Sequence, residues 1–190
     1  GPRPLVSGRG ERYGRGGDPD MHLLAALALI LTNAGATAPQ ATPPGASPCS
    51  SAAHHQFDFW IGEWTVTTPD GKPAGHSRIE GVLGGCALLE HWSGTGGSDG
   101  KSLSLYVDAD RQWNQTWIDN GGNRIVLTGG LEGARMVLKN AWTANGKAMR
   151  SELSWTPGSD GSVRQVWRQS TDDGVTWTTI FDGLYRRVAA

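Results

Sequence analysis

Residues 56–66 read QFDFWIGEWTV, and this stretch decides the fold. Trp60 and Trp64 stand on either side of Gly62, in a run of β-forming residues that a glycine should weaken. Glycine inside a strand marks a sharp bend or the close approach of another backbone. Taking Phe57–Thr68 as the first strand of a closed barrel gives Gly62 that purpose: its missing side chain clears the place where the first strand meets the last.

Downstream, strand-like runs recur at the spacing of an all-β domain. They are His76–Leu83, Cys86–Ser93, Ser102–Val107, Gln112–Asp119, Arg124–Thr128, Met136–Trp142, Met149–Thr156, Val163–Ser170 and Trp177–Val188. The turns between them include Asn145-Gly146, Ser159-Asp160-Gly161 and Asp173-Gly174, which supply the positive φ angles of tight hairpins. About ten strands joined by short hairpins form a meander. Closure into an antiparallel up-and-down β-barrel removes its two open edges. A two-sheet sandwich is the alternative, but it would require long crossovers that the sequence does not contain.

The composition agrees with an all-β domain. Nine Trp and 28 Gly in 190 residues suit aromatic strands and tight turns. A net charge of −1 argues against a nucleic-acid or anionic-membrane partner. Residues 1–20 carry no apolar periodicity and read as an extension or disordered lead. Residues 21–36 have the form of a signal peptide, too short to span a bilayer, and predict a secreted or periplasmic protein. Residues 37–53 read as a flexible linker of Ala, Pro, Ser and Thr, and 54–190 as the barrel. Two cysteines in an exported chain, Cys49 and Cys86, read as one disulfide, the alternative being two free buried thiols.

Alternation along the strands separates the faces. Trp113, Gln115, Trp117 and Asp119 share one face, and Met149, Ser151, Leu153 and Trp155 oppose Arg150 and Glu152. Polar groups among aromatics imply a cavity rather than a solid core. The expected ligand-binding residues are Glu90, Trp92, Tyr106, Gln115, Trp117, Arg150 and Gln165. Glu90 lies mid-strand, where a charge needs a partner, and Arg150 or Arg164 could supply it.

Other motifs carry less chemistry. Ser170–Trp177 matches the Asp-box S-x-D-x-G-x-T-W once, and reads as a hairpin turn. The loop Gly94–Ser102 lacks the glycines of a phosphate-binding loop. The histidines show no metal-ligand spacing. His54 and His55 read as solvated, and His91 is the one weighed as a haem or metal ligand. No metal, cofactor or catalytic residue is assigned.

The segments QFDFWIGEWTV, GGCALLEHWSG, GKSLSLYVDADRQWNQTWIDNGG and GSVRQVWRQSTDDGVTWTTIFDGLYRR resemble a domain-of-unknown-function family of mostly bacterial, often exported, lipocalin-like proteins. The resemblance covers roughly residues 49–188. It implies a calycin-type barrel and no particular activity. The G-x-W of Gly62-Glu63-Trp64 also resembles the opening strand of lipocalins, fatty-acid-binding proteins and nitrobindins; no histidine here fits the haem site of the last. In such barrels an arginine from a late strand covers the tryptophan, which points to Arg187, on one face with Phe181, Gly183 and Tyr185, with Arg186 the alternative. The sequence thus implies a barrel binding a small, partly apolar molecule without catalysis. Alternatives are an enzyme using Glu90 and a scaffold that binds a protein partner.

Overall fold

The structure is a computed structural model that describes residues 48–189. The proposed leader (1–20), signal peptide (21–36) and the first part of the linker (37–47) lie outside the described residues.

Ten antiparallel strands close into a barrel. They are β1 (Gly62–Thr67), β2 (Pro73–Val82), β3 (Ala87–Gly94), β4 (Asp99–Val107), β5 (Gln112–Asp119), β6 (Arg124–Glu132), β7 (Arg135–Ala144), β8 (Lys147–Pro157), β9 (Val163–Ser170) and β10 (Thr178–Arg187). Each pairs with its sequence neighbours, and β1 pairs with β10 to complete the ring. Closure leaves no edge strand to template aggregation.

The first strand is shorter than the sequence implies. Ala52–His55 and Asp58–Trp60 form two 3-10 turns, and β1 starts only at Gly62. Phe57–Trp60 therefore folds inward as a plug for one end of the barrel. Phe57 and Trp60 are fully buried and stack at 5.0 Å between ring centroids. Phe57 also meets Trp113 and Trp155 edge-on. This aromatic burial outweighs the strand propensity of the segment, because a strand would expose alternate rings. His54 belongs to the same plug and is buried, not solvated: it shares a 2.8 Å hydrogen bond with Ser51 Oγ and packs edge-on against Tyr106.

A disulfide joins Cys49 to Cys86, with Cα atoms 5.0 Å apart. It ties the chain ahead of the plug to the turn between β2 and β3.

The seam between β1 and β10 has its own fastening. Gly62 has φ +145°, a region that side-chain-bearing residues rarely adopt. A Cβ there would overlap the Arg187 guanidinium. Arg187 lies 4.4 Å over the Trp64 ring and donates from Nη1 to Ile61 O at 3.0 Å. Trp64 in turn donates to Trp60 O at 3.0 Å, linking the seam to the plug.

Candidate functional site

Beyond the plug the barrel is hollow. A cavity of about 370 Å³ runs toward the other end, within the usual range for small-molecule sites. Trp92, Trp117, Trp155, Trp167, Phe181 and Tyr185 supply most of its aromatic wall. Leu127 and Leu153 line it deeper down, and Ala74 and Ser98 also contribute to the lining.

The strand period explains this lining. On β5, Trp113 and Gln115 are buried, with Trp117 and Asp119 half-buried on the same face. Trp113 meets the plug, while Gln115, Trp117 and Asp119 face the cavity. On β8, Leu153 and Trp155 point inward by the same alternation. Gly100 on β4 has no side chain because Trp117 covers it; a Cβ would overlap the indole.

Polar groups form a chain across β2, β3, β4 and β5. Ser77 donates to Glu90 Oε1 and Ser102 donates to Glu90 Oε2, each at 2.9 Å. Gln115 Nε2 donates to Ser104 Oγ at 2.9 Å. Across the barrel, Tyr185 donates to Gln165 Oε1 at 2.5 Å and Trp167 donates to Ser151 Oγ at 2.6 Å.

Glu90 is 5% exposed. Burial pushes its carboxyl up to about 7, against the Ser102 and Ser77 hydrogen bonds that favour the charged form. Burial, together with the charge of Glu90, holds the Tyr185 hydroxyl well above its ordinary value.

Of the residues singled out from sequence, Glu90, Trp92, Gln115, Trp117 and Gln165 line this one cavity. Two do not. Tyr106 sits at the plugged end, packed between His54 and Trp113. Arg150 alternates to the outer face of β8, opposite Ser151 and Leu153, and its guanidinium binds Asp173 in the β9–β10 turn. The expected arginine partner for Glu90 is likewise absent. Arg164 pairs with Asp182, and Glu90 meets serine hydroxyls instead. An arginine on either strand would have to break the period-2 alternation to reach inside.

His91 also faces outward, 3.5 Å from Glu80. Among the described residues no group of three or more His, Cys, Asp or Glu could hold a metal ion. The Asp-box is the β9–β10 hairpin: Asp172 accepts from Thr176 N at 2.8 Å, Thr176 Oγ1 at 2.6 Å and Ser170 Oγ at 2.7 Å, while Trp177 donates to Gly174 O.

Sequence reasoning missed Ser77, Ser102 and Ser104 as interior groups. The signal was the shared face of Ser102, Ser104 and Tyr106, obscured by the more apolar Leu103 and Leu105 between them. No protein-family model matches the chain, and no curated protein matches it.

Proposed function

We propose that this barrel is an exported carrier or receptor for a small, partly apolar molecule, held in the interior cavity without chemical change. The observation that carries the reading is the cavity itself: an aromatic wall surrounding a few convergent polar groups, in a barrel plugged at one end. A fold optimised only for stability would fill that volume, because interiors pack to crystal density and voids are costly. Aromatic rings supply contact area, and Glu90, Gln115 and Gln165 orient the guest.

Export fits the Cys49–Cys86 disulfide, since such bonds persist in oxidising compartments. No helix among the described residues is long and apolar enough to cross a membrane. The closed meander and the Arg187–Trp64 stack also support the lipocalin-like kinship that the sequence resembles. Binding is preferred to catalysis because Glu90 meets two serine hydroxyls, and among the described residues no His or Lys lines the cavity to complete a nucleophile, base and orienting group.

The test is titration with 2-phenylethanol, followed by intrinsic tryptophan fluorescence and calorimetry. Saturable quenching at roughly millimolar affinity or tighter is expected, because Trp92 and Trp117 line the cavity. Ala74→Trp, which places an indole in the cavity, should abolish it. A linear, non-saturating response of the folded protein to this alcohol and to its amine and carboxylate analogues alike would remove the reading.

A further inference from the structure

Among the described residues, the charged side chains lining the cavity are Glu90 and Asp119, both acidic, with no Lys, Arg or His beside them. Asp119 is kept ionised by hydrogen bonds from the backbone of Asn123 first, then from Trp117, the Asn123 side chain and Gly121. Glu90 receives one neutral donor on each oxygen. A carboxylate oxygen can accept two, so each keeps a free lone pair. A buried carboxylate compensated only by hydroxyls lacks its counter-charge.

The aromatic wall adds a second attraction for a cation. Trp92, Trp117, Trp167 and Phe181 add π-systems whose negative faces attract cations.

We propose that the cavity takes a small organic cation, an amine with an aromatic or short apolar body, its ammonium seated on Glu90 and its body among the tryptophans. This assignment rests on the binding reading above and narrows it to one ligand class. An anionic guest would meet two carboxylates and no cation. A neutral guest would leave Glu90 without a counter-charge.

The proton balance follows from what faces Glu90. Ser77 on β2 and Ser102 on β4 do not titrate in the neutral range. Tyr185 stays protonated and Asp119 stays ionised. Arg78, Glu80, His91 and Lys101 alternate to the outer face. Glu90, with its carboxyl near 7, is the cavity group that changes charge between pH 6 and 8. Its ionised fraction rises about tenfold across that interval, so amine affinity rises about tenfold too. At neutral pH, amine binding releases a proton.

Calorimetry on the wild-type protein with phenethylamine, 2-phenylethanol and 3-phenylpropanoate tests this. At pH 8 the amine should bind at least about tenfold tighter than the alcohol, and the carboxylate should bind weakest. Amine affinity should rise from pH 6 to 8, with proton release seen as a dependence of the heat on buffer ionisation enthalpy. Glu90→Gln should abolish the preference for amine over alcohol, and the wild-type pH series stands independently if that variant folds poorly. An amine no tighter than the alcohol, or a tighter carboxylate, overturns the cation assignment and leaves the binding cavity. Failure of all three probes to bind the folded protein overturns both.

Discussion

Gly62 is the residue on which barrel closure turns. Its φ of +145° and the overlap a Cβ would make with Arg187 are separate costs. Gly62→Ala should destabilise by about 2–3 kcal/mol, read as a fall in the urea midpoint. Arg187→Ala should lose about 0.5–2 kcal/mol of cation–π stabilisation. In the Arg187→Ala background Gly62→Ala should cost less, because only the backbone strain remains; strict additivity would separate Gly62 from the arginine. Glu90 makes a second prediction at this scale. Its carboxyl is raised from 4.5 to about 7, so the native state holds this proton more tightly than the unfolded chain. Stability from this group is therefore present below pH 4.5 and lost as pH rises through 7, by roughly 3 kcal/mol in total. Denaturation midpoints of wild type and Glu90→Gln should diverge in the variant's favour from pH 5 to 8. Parallel curves would show that the carboxyl titrates normally. A group that weakens the fold at neutral pH suits a role in binding.

At the scale of elements, the N-terminal plug and its disulfide act together. The plug covers one barrel end with Phe57, Trp60 and His54, and Cys49 anchors it to the β2–β3 turn. Closing a loop of 37 residues contributes about 4 kcal/mol on the chain-entropy account. Paired Cys49→Ser and Cys86→Ser substitution should lower stability by about that amount, measured by chemical denaturation; an unchanged midpoint would mean that the plug is held by packing alone. The plug also shows where sequence reading fell short. QFDFWIGEW has the composition of a strand, and only the cavity end waiting to be filled makes Phe57–Trp60 coil inward. By contrast β5 and β9 run over the residues that alternation and turn chemistry mark out, because strands with well-defined hairpins at both ends are decided locally.

For the whole molecule, closure rests on the weakest ladder. The β1–β10 seam has four registered pairs, Trp64 to Thr67 against Arg187 to Leu184, whereas β4 and β5 share eight. Native-state hydrogen exchange should show the amides of Thr65 and Thr67 opening before those of β4 and β5, since short ladders open locally at lower free energy. Uniform protection around the ring would show that Arg187 and the disulfide make the seam as strong as the rest. Ligand in the cavity should slow exchange on both sides of the seam, because Phe181 and Tyr185 of β10 line it.

Alternation, turn residues and the lone glycine of a tryptophan-rich strand determined the ten-strand meander, its closure and five of the cavity-lining side chains. These are properties of neighbours along the chain. The sequence could not place Tyr106, which its height along the barrel axis sets beside the plug, whereas the outward turn of Arg150 follows from its alternation with Leu153 and Trp155. Nor could it assign Glu90 its partners. In Lys101-Ser-Leu-Ser-Leu105 hydropathy alone would turn Leu103 and Leu105 inward; the barrel instead exposes them and buries Ser102 and Ser104. Those serines meet Glu90 on β3 and Gln115 on β5. Satisfying a buried carboxylate and amide matters more to the register of β4 than burying two leucines, since an unpaired buried polar group costs more than a half-exposed apolar one gains. That balance exists only once three strands lie side by side, so only the tertiary structure could decide it.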